Sequence, residues 1–253
     1  MMKHKIAAQL YTVRDLLEKD FIGVLKELKE MGYAGVEMAG IYGHDPKEIA
    51  AALKELGLSV AGMHVGLDRL RNELPAVLDE AELFGTKHLV MPYVVEEDRT
   101  EEYYVSLKAE LNELAAVLKK DGYTISYHNH DFEFHKEIDG KVVLEYLLEP
   151  NADNLLHAEL DVYWVTKAGR DVLEFLSPLA GRVPTLHMKD MAAGEEGNFA
   201  EVGTGVIDFE LVLRWGEENG VQWYIIEQDV CPGNPLDSLR VSIGNLQGMM
   251  DRM

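Results

Sequence analysis

Short apolar runs recur along the chain at nearly even intervals, each bounded by Gly, Asp or Asn. Between them lie longer segments whose apolar residues repeat every three to four positions. The runs, read as buried strands, are Ile6–Leu10, Gly35–Ala39, Ser59–His64, His88–Pro92, Thr124–His128, Asn154–Asp161, Val183–Met188 and Trp223–Gln228. Their starts are 29, 24, 29, 36, 30, 29 and 40 residues apart, close to the roughly 30 residues of a strand–helix–strand unit. The intervening segments read as amphipathic helices: Phe21–Met31, one opened by Pro46 and closed by Gly57, then Glu73–Phe84, Glu101–Lys120, Val142–Leu148, Asp171–Leu179, Phe209–Asn219 and Pro235–Met250. In the first of these Phe21, Val24, Leu25 and Leu28 share a face, with Lys26, Glu27, Lys29 and Glu30 turned to water. Eight strands each followed by a helix predict a (β/α)8 TIM barrel, one α/β domain over residues 1–253. The rival, a doubly wound open sheet, lacks its GxGxxG signature after the first strand. The nearest similar glycines, Gly203-Thr204-Gly205, follow the seventh.

Composition narrows the partners. Apolar residues make up 47% and charged residues 27% of the 253, an ordinary globular mix. Lys+Arg total 24 against 45 Asp+Glu, a net charge of 24 − 45 = −21. Such a field repels phosphate backbones and anionic lipid, so nucleic acid and membrane surfaces are not expected partners. The lone Cys231 forms no internal disulfide and no zinc knuckle, which fits a reducing compartment. Without a signal-like start or an apolar run of about 18 residues, a cytoplasmic protein is expected.

The candidate chemistry sits at the C-terminal strand ends, where barrels of this kind place catalytic groups. The first strand ends in Gln9-Leu10-Tyr11, the second carries Glu37 and the third ends at His64. The fifth runs into Tyr127-His128-Asn129-His130-Asp131-Phe132-Glu133-Phe134, the sixth holds Glu159 and Asp161, the seventh ends His187-Met188-Lys189-Asp190 and the eighth Glu227-Gln228-Asp229. Strand side chains alternate, so His157, Glu159 and Asp161 share a face, as do Thr185 with His187 and Ile225 with Glu227. If these faces point inward, Asp161, His187 and Glu227 converge at the mouth. Two carboxylates and an imidazole, with no thiolate, suit one divalent ion such as Mn, Mg, Co or Zn, with a fourth ligand expected from strand five. For Glu37, His64 and Glu159 a functional role and a satisfied buried polar group are equally compatible with the sequence. His88 opens its strand, at the opposite end, and reads as structural. Tyr163 and Trp164 suit either stacking on a sugar ring or core packing. Gly203-Thr204-Gly205 is either an oxyanion cradle of backbone N–H groups or a turn leading into a helix.

Taken together, these segments resemble the xylose isomerase-like barrel superfamily, in particular its sugar phosphate isomerase/epimerase branch. The resemblance spans nearly the whole chain and rests on Ala7-Ala8-Gln9-Leu10-Tyr11-Thr12-Val13-Arg14, Gly35-Val36-Glu37, Tyr127 to Phe134, Leu160-Asp161-Val162-Tyr163-Trp164 with Ala168-Gly169, His187-Met188-Lys189-Asp190, Gly203-Thr204-Gly205 and Glu227-Gln228-Asp229. It implies a metal held by Glu, Asp, His and Glu from strands five to eight. The last three fall on Asp161, His187 and Glu227. The first is displaced, because His128-Asn129 stands where epimerases have Glu-Asn. Glu133, five residues on, is expected to supply that ligand, with His128 as the alternative.

The resemblance implies a metal-dependent isomerase or epimerase of a sugar or sugar phosphate, moving a proton through an enediolate. Glu227, Glu133, His128, His130 and Lys189 are its catalytic candidates. Gln9, Glu37, His64, Glu159 and Trp164 are its substrate-binding candidates. The alternative is a metal-dependent dehydratase of a keto-sugar or keto-inositol, as in inosose dehydratases, which also carry a His-rich fifth strand. Strand five separates the two: a carboxylate opposite Glu227 favours epimerisation, a His favours elimination. The three-zinc DNA-repair endonuclease of this fold is disfavoured by the net charge of −21. A metal-free sugar-binding barrel is the non-enzyme reading. Barrels of this type also associate as homo-oligomers, though nothing in the sequence sets a number.

Overall fold

Eight parallel strands close on themselves around a lumen in a computed structural model that describes residues 2–253. They are β1 (Ile6–Gln9), β2 (Gly35–Met38), β3 (Ser59–His64), β4 (His88–Met91), β5 (Thr124–His128), β6 (His157–Asp161), β7 (Thr185–Met188) and β8 (Trp223–Ile226). Each pairs with its sequence neighbours, and β1 closes the ring against β8 through Ile6↔Tyr224 and Ala8↔Ile226. The expected (β/α)8 barrel is therefore the fold. Two short antiparallel pairs, Glu137–Ile138 with Lys141–Val142 and Asp190–Met191 with Phe199–Ala200, lie outside the ring.

The outer layer is α1 (Arg14–Met31), α2 (Pro46–Leu56), α3 (Leu67–Asn72), α4 (Leu74–Phe84), α5 (Glu101–Leu118), α6 (Val143–Leu148), α7 (Val162–Lys167), α8 (Val172–Leu176), α9 (Phe209–Glu218) and α10 (Pro235–Met250). Local chemistry sets their starts. Asp45 caps α2 ahead of Pro46, Thr100 caps α5, and Asn234 caps α10 ahead of Pro235, each side chain accepting from a backbone N–H of the first turn. Phe21, Leu25 and Leu28 of α1 are fully buried, as the helical spacing required.

Differences from the expected elements have local causes. The first helix begins at Arg14 rather than Phe21, because two helical segments join across a kink at Asp20 (φ −153°, ψ 81°), whose carboxylate accepts from Gly23 N at 2.8 Å. The short α3 and α7 escape a periodicity reading because six residues hold fewer than two turns. Strand β6 begins at His157, not Asn154, whose side-chain amide is spent on Leu147 O at 2.8 Å and Glu149 O at 3.0 Å.

The apolar core lies mainly between strands and helices. Ala7, Ala61 and Ile225, with Trp223 against them, form a separate small cluster. Two residues further along their strands, Ala7 and Ile225 give way to Gln9 and Glu227, so alternation carries the inner face from apolar to polar towards the C-terminal rim.

Candidate metal and acid–base centre

Strand register assembles the polar layer. Gln9 pairs with Glu37, His128 with Glu159, Glu159 with Thr185, Asp161 with His187, and His187 with Ile225. Side chains of one inner face therefore meet from strand to strand. Gln9, Glu37, Glu159, Asp161, His187 and Lys189 are fully buried, and His128 and Glu227 nearly so. Burial of so many charges is tolerable only where they pair.

The pairing divides into two overlapping groups. In the outer one, ligand-capable atoms of His128, Asp161, His187 and Glu227 all lie within 4.8 Å of one another. His187 Nδ1 stands 3.0 Å from Glu227 Oε2, and His128 Nε2 stands 4.0 Å from Asp161 Oδ2. The Lys189 ammonium lies 2.8 Å from Asp161 Oδ2, 2.8 Å from Glu227 Oε2 and 2.6 Å from Asp229 Oδ2. In the inner group Glu159 Oε1 faces His64 Nε2 at 2.6 Å, His187 Nε2 at 3.1 Å and His128 Nδ1 at 3.3 Å. Its other oxygen accepts from Thr185 Oγ1 at 2.8 Å.

These contacts set the charges. Burial opposes the charge of His64, yet Glu37 and Glu159 overcome it and raise its pKa to about 10. Burial instead takes His128 down to about 3, with His187 adding to the effect, and holds His130 well below its ordinary value, with His128 and Lys189 adding. Burial lifts Asp161 to about 6 despite the ammonium beside it. Glu227 is held well below the usual carboxylate range, Lys189 and His187 outweighing its burial.

The outer group suits a divalent cation. Asp161 Oδ2 is buried without a well-aligned hydrogen bond, although a cationic nitrogen is 2.8 Å away. The Lys189 ammonium faces three carboxylates, Asp161, Glu227 and Asp229, and satisfies their charge without ideal hydrogen-bond angles. The donors are carboxylate oxygens and imidazole nitrogens, a set that Mn, Mg, Co and Zn all accept to differing degrees.

Asp161, His187 and Glu227 thus come together, and strand five contributes His128 rather than Glu133. The Glu133 carboxylate turns away, accepting from Tyr127 Oη at 2.8 Å and from His130 N at 2.8 Å, and burial raises its pKa to about 7. A cavity of about 580 Å³ opens above the cluster, and His64, His128, His130, Glu227, Asp229 and Tyr11 are among its lining residues. Gln9, Glu37 and Glu159, candidate substrate contacts from the sequence, are fully buried and are not among its lining residues. Trp164 stands behind His130, ring centres 5.4 Å apart, outside the cavity lining.

Sequence reasoning missed Asp229 as a partner of Lys189, although its spacing of two from Glu227 was a signal. It also missed Asn129, which accepts from Asp161 N at 2.9 Å and fixes that strand end. The Gly203-Thr204-Gly205 segment is not a free oxyanion cradle. Its Gly203 and Gly205 N–H groups both donate to Asp190 Oδ2, at 2.9 and 2.8 Å.

Comparison with known proteins agrees with this fold. A family model, the xylose isomerase-like TIM barrel, matches residues 25–246. An inosose dehydratase of Geobacillus kaustophilus is 26% identical over 252 residues, covering 83% of this chain and 80% of that protein. The same name recurs among other matching curated relatives. A sugar phosphate isomerase/epimerase of Parabacteroides distasonis superposes with a TM-score of 0.79 at 22% identity, over 96% of this chain and 98% of that one. A zinc-bound IOLI protein superposes with a TM-score of 0.74 at 16% identity, over 98% of each chain. At such identities the structural likenesses speak for the fold.

Proposed function

The chain belongs to the xylose isomerase-like TIM barrel family, and from that premise we propose that it is a divalent-metal-dependent dehydratase acting on a keto-inositol or a related keto-sugar. This corrects the expectation of a sugar isomerase or epimerase: the curated relatives that match are named inosose dehydratases. The observation that carries the reading is the strand-five member of the cluster, His128, where an epimerase would need a carboxylate opposite Glu227.

His128, Asp161, His187 and Glu227 are the residues that would hold the ion. An ion bound there supplies Lewis-acid polarisation of a substrate carbonyl. Elimination also needs a base for the proton on the carbon next to that carbonyl and an acid for the departing β-hydroxyl. Neighbouring groups whose environments drive their pKa values apart are the natural pair for such work. His130 lines the cavity with its Nδ1 unpartnered, so it is assigned as the base, and burial keeps the ring neutral. His64, with a pKa of about 10, carries a proton and lines the same cavity, so it is the acid. The base takes the α-proton. The C–H electron pair forms the new double bond, and the hydroxyl leaves as water with the His64 proton.

Incubation with a keto-inositol and Mn in deuterated water tests this. Loss of water with appearance of a diketone or its enol is expected, and His130→Asn should lower kcat by about 100-fold or more. Deuterium exchange at the α-carbon with no loss of water would overturn it.

A further inference from the structure

We propose that Glu37 is a positioning residue that fixes which ring nitrogen of His187 faces the ion. The inference rests on the metal-centre reading above and adds a residue that touches no substrate. Glu37 sits on β2 and His187 on β7, with β1 and β8 between them around the ring, so the contact spans the lumen. His187 Nε2 lies 2.7 Å from Glu37 Oε2 and 3.1 Å from Glu159 Oε1. Both neighbours are carboxylate oxygens, which accept, so the Nε2 atom carries the hydrogen. Nδ1 faces a carboxylate as well, Glu227 Oε2 at 3.0 Å, so it is the nitrogen from which an ion shared with Glu227 would displace the hydrogen, leaving the Nε2 hydrogen on Glu37. A histidine ligand whose second N–H is given to a carboxylate is fixed in tautomer and ring angle and made a stronger donor.

Glu37 is itself held from two sides. Tyr11 N donates to Gln9 Oε1 at 3.0 Å, which settles the amide orientation, and Gln9 Nε2 then donates to Glu37 Oε2 at 2.7 Å. On its other side the carboxylate lies against the backbone of Gly62. A Cβ there would come within 2.7 Å of Glu37 Oε1 and would force the carboxylate to move. A register shift between Val36 and Glu37 sets Glu37 opposite Gly62.

The inner group has the spacing of a second metal site, with atoms of His64, His128, Glu159 and His187 also within 4.8 Å of one another. Two features argue for the hydrogen-bonded shell. The His64 Nε2 to Glu159 Oε1 contact is already closed at 2.6 Å, and the second Glu159 oxygen is taken by Thr185 Oγ1 at 2.8 Å.

Zinc serves as the probe, on the full chain with 15N-labelled histidine. The zinc-loaded protein should show His187 with its hydrogen on Nε2 and zinc on Nδ1. Competition with a chelator should give one zinc per chain, with affinity falling about 10- to 100-fold in Glu37→Ala and largely recovered in Glu37→Gln, whose carbonyl oxygen still accepts. Zinc on Nε2, two zinc ions per chain, or unchanged affinity in a folded Glu37→Ala would overturn the proposal while leaving a metal centre standing. Failure of the unaltered chain to bind zinc would overturn both. The spectrum of the unaltered protein decides the tautomer even if the variants do not fold.

Discussion

The Lys189 ammonium rests 2.8 Å from Asp161 Oδ2, the carboxylate oxygen that the start of α7 leaves free. The other oxygen, Oδ1, caps that helix, accepting from Tyr163 N at 2.9 Å and Trp164 N at 3.4 Å. One carboxylate thus fixes a helix and faces the cluster, and the lysine offsets its charge together with that of Glu227 and Asp229.

Lys189→Met would leave those three carboxylates facing one another without their cation. Removing one member of a buried charge pair costs about 3–5 kcal/mol. Urea unfolding with a chelator present should show a clearly lowered midpoint, and Mn should restore part of the loss. An unchanged midpoint in chelator would sink the charge argument.

Ligand binding to the folded state raises stability by mass action, about 2.7 kcal/mol at a hundred times Kd. Manganese should therefore raise the melting temperature of the unaltered protein, and chelation should abolish activity. Asp161→Ala should lose the manganese response and a further ~1 kcal/mol from its cap. A full manganese shift in Asp161→Ala would remove Asp161 from the ligand set.

Glu133 gives a pH signature. Its folded pKa of about 7 lies above the ordinary carboxylate value of 4.5, so between these values the folded chain binds more proton than the unfolded one. Stability then falls as pH rises through that window, by up to about 3 kcal/mol at 1.36 kcal/mol per unit. Glu133→Gln should flatten this slope, gaining on the unaltered protein from pH 5 to 8. Parallel stability curves for the two proteins would refute it.

Gly205 is a packing requirement. A Cβ there would fall 2.2 Å from Met191 O and 2.5 Å from Asp190 Oδ1. Gly205→Ala should cost at least the 1–3 kcal/mol typical of overpacking, whereas Thr204→Ala, exposed, should stay within about 0.5 kcal/mol. Because the neighbouring N–H groups are spent on Asp190, inorganic phosphate should leave thermal melts unchanged. Thermal protection of the unaltered protein by phosphate would reinstate a cradle.

The barrel itself was legible in the linear pattern. Strand and helix periods are local properties of the chain, and eight repeats near 30 residues have few ways to bury both faces of their strands. Alternation within β6, β7 and β8 likewise announced Asp161, His187 and Glu227, because a side chain two positions from another on a strand shares its face whatever the surroundings.

Which strand-five residue joins them was not a local matter. His128 and Glu133 are five residues apart across a turn, and the pull on Glu133 from Tyr127 Oη and His130 N is decided by the path of that turn. The inner positions of Gln9, Glu37 and Glu159 were equally hidden, since residues that meet across the lumen are up to 150 positions apart, as His187 and Glu37 are. The chain's own order fixed the elements and their inward faces. Closure of the ring decided which atoms meet, because only closure brings distant strand ends within hydrogen-bond range.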